Sequence, residues 1–190
     1  MIQSAGCPLY LYKMANIYLV GFMGTGKTAV GRELAKKMKR QFVDLDDLVE
    51  LREKQTVPEI FAKQGEPYFR QVEKIILKEV SQEKNFVVAC GGGVVLDRDN
   101  INNMKQTGRI ICLSASPEMI LQRTAGFAHR PLLNVPRPRE KIELLLKMRA
   151  PYYAQADYTI DTSRLSVERA VEKVIKVISH KSQVTRIKKK

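Results

Sequence analysis

Residues 21–28 read Gly21-Phe22-Met23-Gly24-Thr25-Gly26-Lys27-Thr28, the pattern G-x-x-x-x-G-K-T. An apolar run, Asn16-Ile17-Tyr18-Leu19-Val20, leads into it, and the helical stretch GRELAKKM follows. Each residue type has a physical reason to be there. Glycines let backbone N–H groups wrap closely around phosphate oxygens. The helix that follows turns its positive dipole end toward the same anion. Lys27 supplies a point charge for the β- and γ-phosphates, and the Thr28 hydroxyl is placed for a Mg²⁺ ion. The strand–loop–helix context predicts a nucleoside triphosphate site, and it commits the chain to an α/β fold.

The rest of the chain agrees with that commitment. Short apolar runs at 16–21, 41–45, 86–90, 109–113 and 157–161 alternate with helical patterns near 27–39, 46–53, 57–64, 66–82, 98–106, 116–124, 139–150 and 166–179. Within 66–82, Phe69, Val72, Ile76 and Val80 recur at three- and four-residue steps and form one apolar stripe. Buried-type strands separated by helices predict a parallel sheet covered on both faces.

At 190 residues and 44% apolar, the chain suits one folded domain. No apolar run approaches the ~20 residues of a membrane span. Cys7, Cys90 and Cys112 are too scattered for a disulfide framework, so a reducing compartment is expected. The net charge of +13 allows nucleic acid, a membrane surface or a small anion as partner. Part of that charge sits at the ends. The leader 1–13 and the tail 179–190, with Lys181, Arg186, Lys188, Lys189 and Lys190, are expected to be disordered, leaving 14–178 as the domain. The chain is short for a motor ATPase and lacks an N-K-x-D-like guanine reader, so a small-molecule kinase is favoured.

The acceptor side has its own signals. Asp44 and Asp46 stand at the end of the second strand, where the ligand crevice of a parallel sheet opens. If the strand continues, they point to one side; one suits a metal-bound water, the other a proton from an attacking hydroxyl. Asp47 reads as a helix cap. Arg70 follows the core-type Phe69, with Glu73 one helical step on as a brace. Gly91-Gly92-Gly93 at a strand end leaves room for a ligand to approach the Gly92 amide. The segment 124–138 reads as a lid, with Arg130 able to reach a transferring phosphate and His129 as a bystander. Arg149 suits bidentate pairing with a carboxylate.

In this order, GFMGTGKT (21–28), DLD (44–46), Phe69-Arg70 with Glu73, GGG (91–93), RPLL (130–133) and RAPYY (149–153) resemble the shikimate kinase family from about Asn16 to Ile178. The resemblance implies a three-layer P-loop fold like that of nucleoside monophosphate kinases. It has a five-stranded parallel sheet of order 2-3-1-4-5, a substrate-binding helical segment at about 45–73 and a lid at about 124–138. It implies transfer of the ATP γ-phosphoryl group to the 3-hydroxyl of shikimate, in aromatic amino acid biosynthesis.

Carried over by resemblance, Gly24, Thr25, Gly26, Lys27, Thr28 and Ala29 hold ATP, and Thr28 and Asp44 serve Mg²⁺, Asp44 through water. Asp46 binds a shikimate hydroxyl and helps deprotonate it. Arg70 and Arg149 clamp the carboxylate beside Gly91, Gly92 and Gly93. Lys27, Asp46 and Arg130 are the catalytic set, and Arg123 lies near the adenine, with Leu165 or Arg164 from the loop 161–165. The expected protein is a cytoplasmic monomer with no nucleic-acid or membrane partner. Gluconate kinases share the fold and are the nearest alternative; a nucleotide-switched, polyanion-binding module is the alternative from another class.

Overall fold

The computed structural model describes residues 15–125 and 135–187, the last eight of these by backbone alone. Five strands, β1 (Asn16–Val20), β2 (Gln41–Asp44), β3 (Phe86–Ala89), β4 (Gly108–Ser114) and β5 (Tyr158–Asp161), form one parallel sheet in the order β2-β3-β1-β4-β5. Around it lie α1 (Lys27–Met38), α2 (Leu45–Glu53), α3 (Val57–Lys63), α4 (Gly65–Gln82), α5 (Arg98–Thr107), α6 (Pro117–Thr124), α7 (Pro138–Tyr153) and α8 (Val167–Ile187). The expected strand order and helical coverage are both present.

The period-two alternation of strands divides the apolar residues between two cores. Ile17 and Leu19 of β1 face one side with Val87, Ile111, Leu113 and Ile160, where Val30 and Leu34 of α1 and Val171 and Val174 of α8 cover them. Tyr18 and Val20 face the other side with Val88 and Ile110, beneath Val49, Phe69, Ile76, Ile101 and Met104 of α2, α4 and α5. Both faces are covered, which is why the strands read as continuous apolar runs. A third cluster, Phe22, Ile120 and Ile142, joins the end of β1 to α6 and α7. Among the described residues no helix is long and apolar enough to cross a membrane.

The register fixes which strand ends meet. Leu19 pairs with Ala89 on one side and Ile111 on the other, so the segments leaving β1 and β3 emerge together. Strand order reverses around β1, and the crevice opens there. The opposite end is closed by a polar knot. Buried Asn16 accepts from the Phe86 N–H (2.9 Å) and donates to the Glu83 carbonyl (2.9 Å), and the Tyr18 hydroxyl meets Thr107 Oγ1 at 2.7 Å. These bonds satisfy backbone groups that the sheet leaves unpaired.

The helix ends show why elements stop where they do. Thr56 and Glu59 form a reciprocal capping box at the start of α3. Lys39 and Lys54 adopt left-handed conformations that terminate α1 and α2. At the other end of the chain α8 runs on to Ile187, into the basic segment that begins at residue 179. Extending an existing helix through Lys, Gln and Arg needs no new nucleus, so it can outlast the apolar stripe that started it. The leader 1–13, the lid residues His129 and Arg130, and Lys188–Lys190 lie outside the described residues.

Candidate active site

The phosphate loop leaves β1 through Gly21, whose φ of +135° suits only glycine; a Cβ there would overlap the Leu113 carbonyl oxygen of β4. Gly26, at φ +93°, is the residue before α1. Thr25 is buried and its hydroxyl donates to the Phe22 carbonyl at 2.7 Å, so its side chain shapes the loop. Lys27 folds back, donating to the Gly21 and Phe22 carbonyls at 2.9 and 3.0 Å. Thr28 and Ala29, in the first turn of α1, are exposed.

Asp44 is the last residue of β2 and the N-cap of α2: its Oδ1 accepts from the Asp46 N–H at 3.1 Å. This corrects the reading of Asp47 as the cap, and because β2 stops at Asp44 the condition under which Asp44 and Asp46 would point to one side of a strand is not met. Asp44 keeps the extended backbone a cap needs, while Asp46 and Asp47 already lie in the first helical turn. Asp44 Oδ2 accepts from the Thr28 hydroxyl at 2.7 Å. Burial pushes the Asp44 carboxyl up, and Thr28, the Asp46 N–H and Lys27 offset this only in part. A carboxylate in that state gains from a nearby dication. Among the described residues no group of three or more His, Cys, Asp or Glu could hold a metal. A hydroxyl with one carboxylate nevertheless fits Mg²⁺, a hard cation that takes most of its ligands from phosphates and water.

The three glycines after β3 make room for charged side chains. A Cβ on Gly91 would overlap Glu73 Oε1 and come within 3.2 Å of Asp46 Oδ1. One on Gly93 would stand 2.5 Å from Cζ of Arg70, inside its guanidinium. One on Gly92 would meet Arg149 Nη1 at 3.6 Å and the Met23 N atom at 3.6 Å, without overlap. The triplet therefore draws Asp46, Glu73, Arg70, Arg149 and the phosphate loop together. The Gly92 carbonyl accepts from Arg149 Nη1 at 3.3 Å and from the Tyr153 hydroxyl at 2.7 Å. The sequence pointed to the Gly92 amide; its carbonyl, which anchors Arg149, was missed. Arg149 is only 6% exposed and stacks over Phe22 at 5.6 Å.

Arg70 lies over Phe69 at 5.0 Å and donates to two glutamates of α4: Nη1 to Glu73 Oε2 at 2.7 Å, and Nη2 and Nε to Glu66 Oε1 at 2.9 and 3.2 Å. Burial works against the Arg70 charge, but Glu73 and Glu66 outweigh it and hold the group above its ordinary value. Glu73 is fully buried, and its Oε1 has no hydrogen-bond partner. Spacing alone does not reveal this burial, because an i,i+3 step looks alike in and out of a core.

Burial pushes the Glu73 carboxyl up to about 7 against the opposing pull of Arg70. A carboxyl raised in the folded state binds its proton more tightly there than in the unfolded chain. Its contribution therefore favours folding at low pH and is lost as pH rises through about 7. Urea unfolding across that window should show wild-type stability falling relative to Glu73→Gln; a relative rise would contradict the sign.

Arg123 was expected near the adenine. It ties α6 to the loop after β5, donating from Nη2 to the Thr162 carbonyl (2.8 Å) and from Nη1 to the Thr162 hydroxyl (3.2 Å) and the Gly24 carbonyl (3.3 Å). Leu165 packs into the core beside α1 and α8, and its N–H goes to the Thr162 carbonyl at 3.2 Å. Arg123 thus braces the phosphate loop through Gly24, while Leu165 is held in the core next to the same Thr162.

A parallel sheet in this order, with a phosphate loop rising from its central strand, places the chain among the P-loop kinases. The shikimate kinase family matches residues 23–179. A shikimate kinase from Thermoanaerobacter pseudethanolicus is 48% identical over 163 residues, covering 86% of this chain and 95% of its own. The solved structure of a shikimate kinase from Acinetobacter baumannii in complex with shikimate superposes with a TM-score of 0.87 at 40% identity, covering 91% of this chain and 97% of its own. A gluconokinase from Sinorhizobium meliloti, 12% identical with a TM-score of 0.59, covers 94% of this chain and 99% of its own; it shares the fold alone. The chain belongs to the shikimate kinase family.

Proposed function

We propose that this chain transfers the γ-phosphoryl group of ATP to the 3-hydroxyl of shikimate, giving 3-phosphoshikimate and ADP in aromatic amino acid biosynthesis. The observation that carries the reading is the convergence at Gly91–Gly93. Arg70 and Arg149 meet there with Asp46 and the buried Glu73 beside a phosphate loop, matching a small polyol with one carboxylate.

Arg70 and Arg149 read the shikimate carboxylate, and the backbone of Gly91, Gly92 and Gly93 lets it come close. Asp46 binds the hydroxyls and takes the 3-hydroxyl proton as the oxygen–phosphorus bond forms and the bond from Pγ to the β-phosphate bridge breaks. Gly24, Thr25, Gly26, Thr28 and Ala29 present the loop and helix start to the phosphates, and Lys27 balances charge that gathers between them. Thr28, with Asp44 through a water, would hold Mg²⁺, which would neutralise phosphate charge. Arg123 and Leu165 border the adenine side. Arg130, in the lid, is assigned by the sequence alone. The described cysteines, Cys90 and Cys112, are buried and unpaired, which suits a reducing cytoplasm.

ADP release coupled to a spectroscopic readout should depend on shikimate; turnover of gluconate in its place would overturn the substrate assignment. Arg149→Ala should raise the KM for shikimate about 10- to 100-fold, since it removes one partner of a buried charge-assisted contact, while the KM for ATP changes little. Equal losses for both substrates would contradict the role given to Arg149.

A further inference from the structure

The nitrogens of Arg70 are engaged by two carboxylates of its own helix. Glu73 has no way out, because its side chain is 1% exposed and wedged against Gly91. Glu66 is different. Its side chain is 39% exposed, and one oxygen, Oε1, takes both Nε and Nη2 on one flank of the guanidinium. It borders an open cavity of about 590 Å³ whose lining includes Arg70, Gly93, Asp97 and Arg98 but neither Asp46 nor Arg149. A displaced Glu66 side chain has room there, and from the first turn of α4 it keeps the favourable field of the helix start.

We infer that Glu66 is a specificity-determining residue whose carboxylate competes with the substrate carboxylate for Arg70. The inference rests on reading Arg70 as a carboxylate reader. A ligand carboxylate approaching Arg70 meets a cation already shared with Glu66, and must either displace that side chain or sit beside a like charge. Phe69, Glu73 and the space over Gly93 hold the guanidinium independently, so Glu66 is not needed to aim it. The result is a site that binds a carboxylate weakly on its own. It favours a ligand that also engages Arg149 and Asp46, which is how a small polyol acid is told from a simple carboxylic acid.

Glu66→Gln separates competition from bracing, because the amide oxygen still accepts from Arg70 while the negative charge is gone. Steady-state kinetics should show the KM for shikimate falling about three- to ten-fold, with kcat and the KM for ATP changed by less than about two-fold. Benzoate, a carboxylate without hydroxyls, should inhibit the variant more strongly than the wild type. An unchanged or raised KM for shikimate would overturn the competition. Arg70→Ala separates this from failure of the underlying reading. It should raise the KM for shikimate about ten-fold or more and abolish the benefit of Glu66→Gln in the double variant. If Arg70→Ala leaves that KM unchanged, the carboxylate assignment itself is wrong.

Discussion

Lys27→Ala should lower kcat roughly a thousand-fold, the size of effect seen when a preorganised charge on a developing anion is removed. The ammonium group reaches the Gly21 and Phe22 carbonyls, so it already lies inside the curl of the loop. The loop shape does not depend on it. Gly21, Gly24 and Gly26 hold positive φ values, and Thr25 ties back to Phe22. The variant should therefore fold and retain part of its ATP affinity through the loop N–H groups and the helix start, while losing the charge that follows the phosphoryl group. Circular dichroism and nucleotide titration beside steady-state kinetics would check this. A kcat within about ten-fold of wild type would remove Lys27 from the catalytic set.

Asp46→Asn should lower kcat about a thousand-fold, within the range for loss of a positioned general base. The substitution preserves shape and leaves the local structure standing. The backbone N–H of Asp46, not its side chain, satisfies the Asp44 cap. The Asn amide can still bond a hydroxyl but cannot take its proton. The KM for ATP should hold within a few-fold, and the KM for shikimate should rise modestly. A variant that keeps kcat and loses only shikimate affinity would make Asp46 a binding residue and send the proton elsewhere.

Much of this architecture is legible before any coordinates. The run Asn16–Val20 followed by glycines and Lys27 announces strand, loop and helix, since few other local structures use those residues in that order. Strands buried on both faces appear as unbroken apolar runs, so all five were found within about a residue or two at each end. Arg70, Gly92 and Arg149 could be nominated, but their surroundings could not. Glu73 has the same helical spacing whether it faces water or core, and its burial follows from Gly91 lying across it. Asp44, Asp46 and Asp47 are three carboxylates in four residues; only the extended backbone of Asp44 selects the cap. Asn16 looks like the polar edge of a strand, yet it closes one end of the sheet through bonds to Glu83 and Phe86. Thr162, which joins Arg123 and Thr25, is brought to the phosphate loop by β5 docking beside β4, a pairing no local pattern encodes.

Phosphorus NMR of the product formed from ATP, Mg²⁺ and shikimate tests the proposed reaction at the atom where it happens. The new phosphomonoester resonance should couple to the proton on carbon 3 of shikimate, and its appearance should match ADP release one for one. Coupling to another ring position, phosphorylation of gluconate in place of shikimate, or ADP release with free phosphate alone would contradict the proposed transfer.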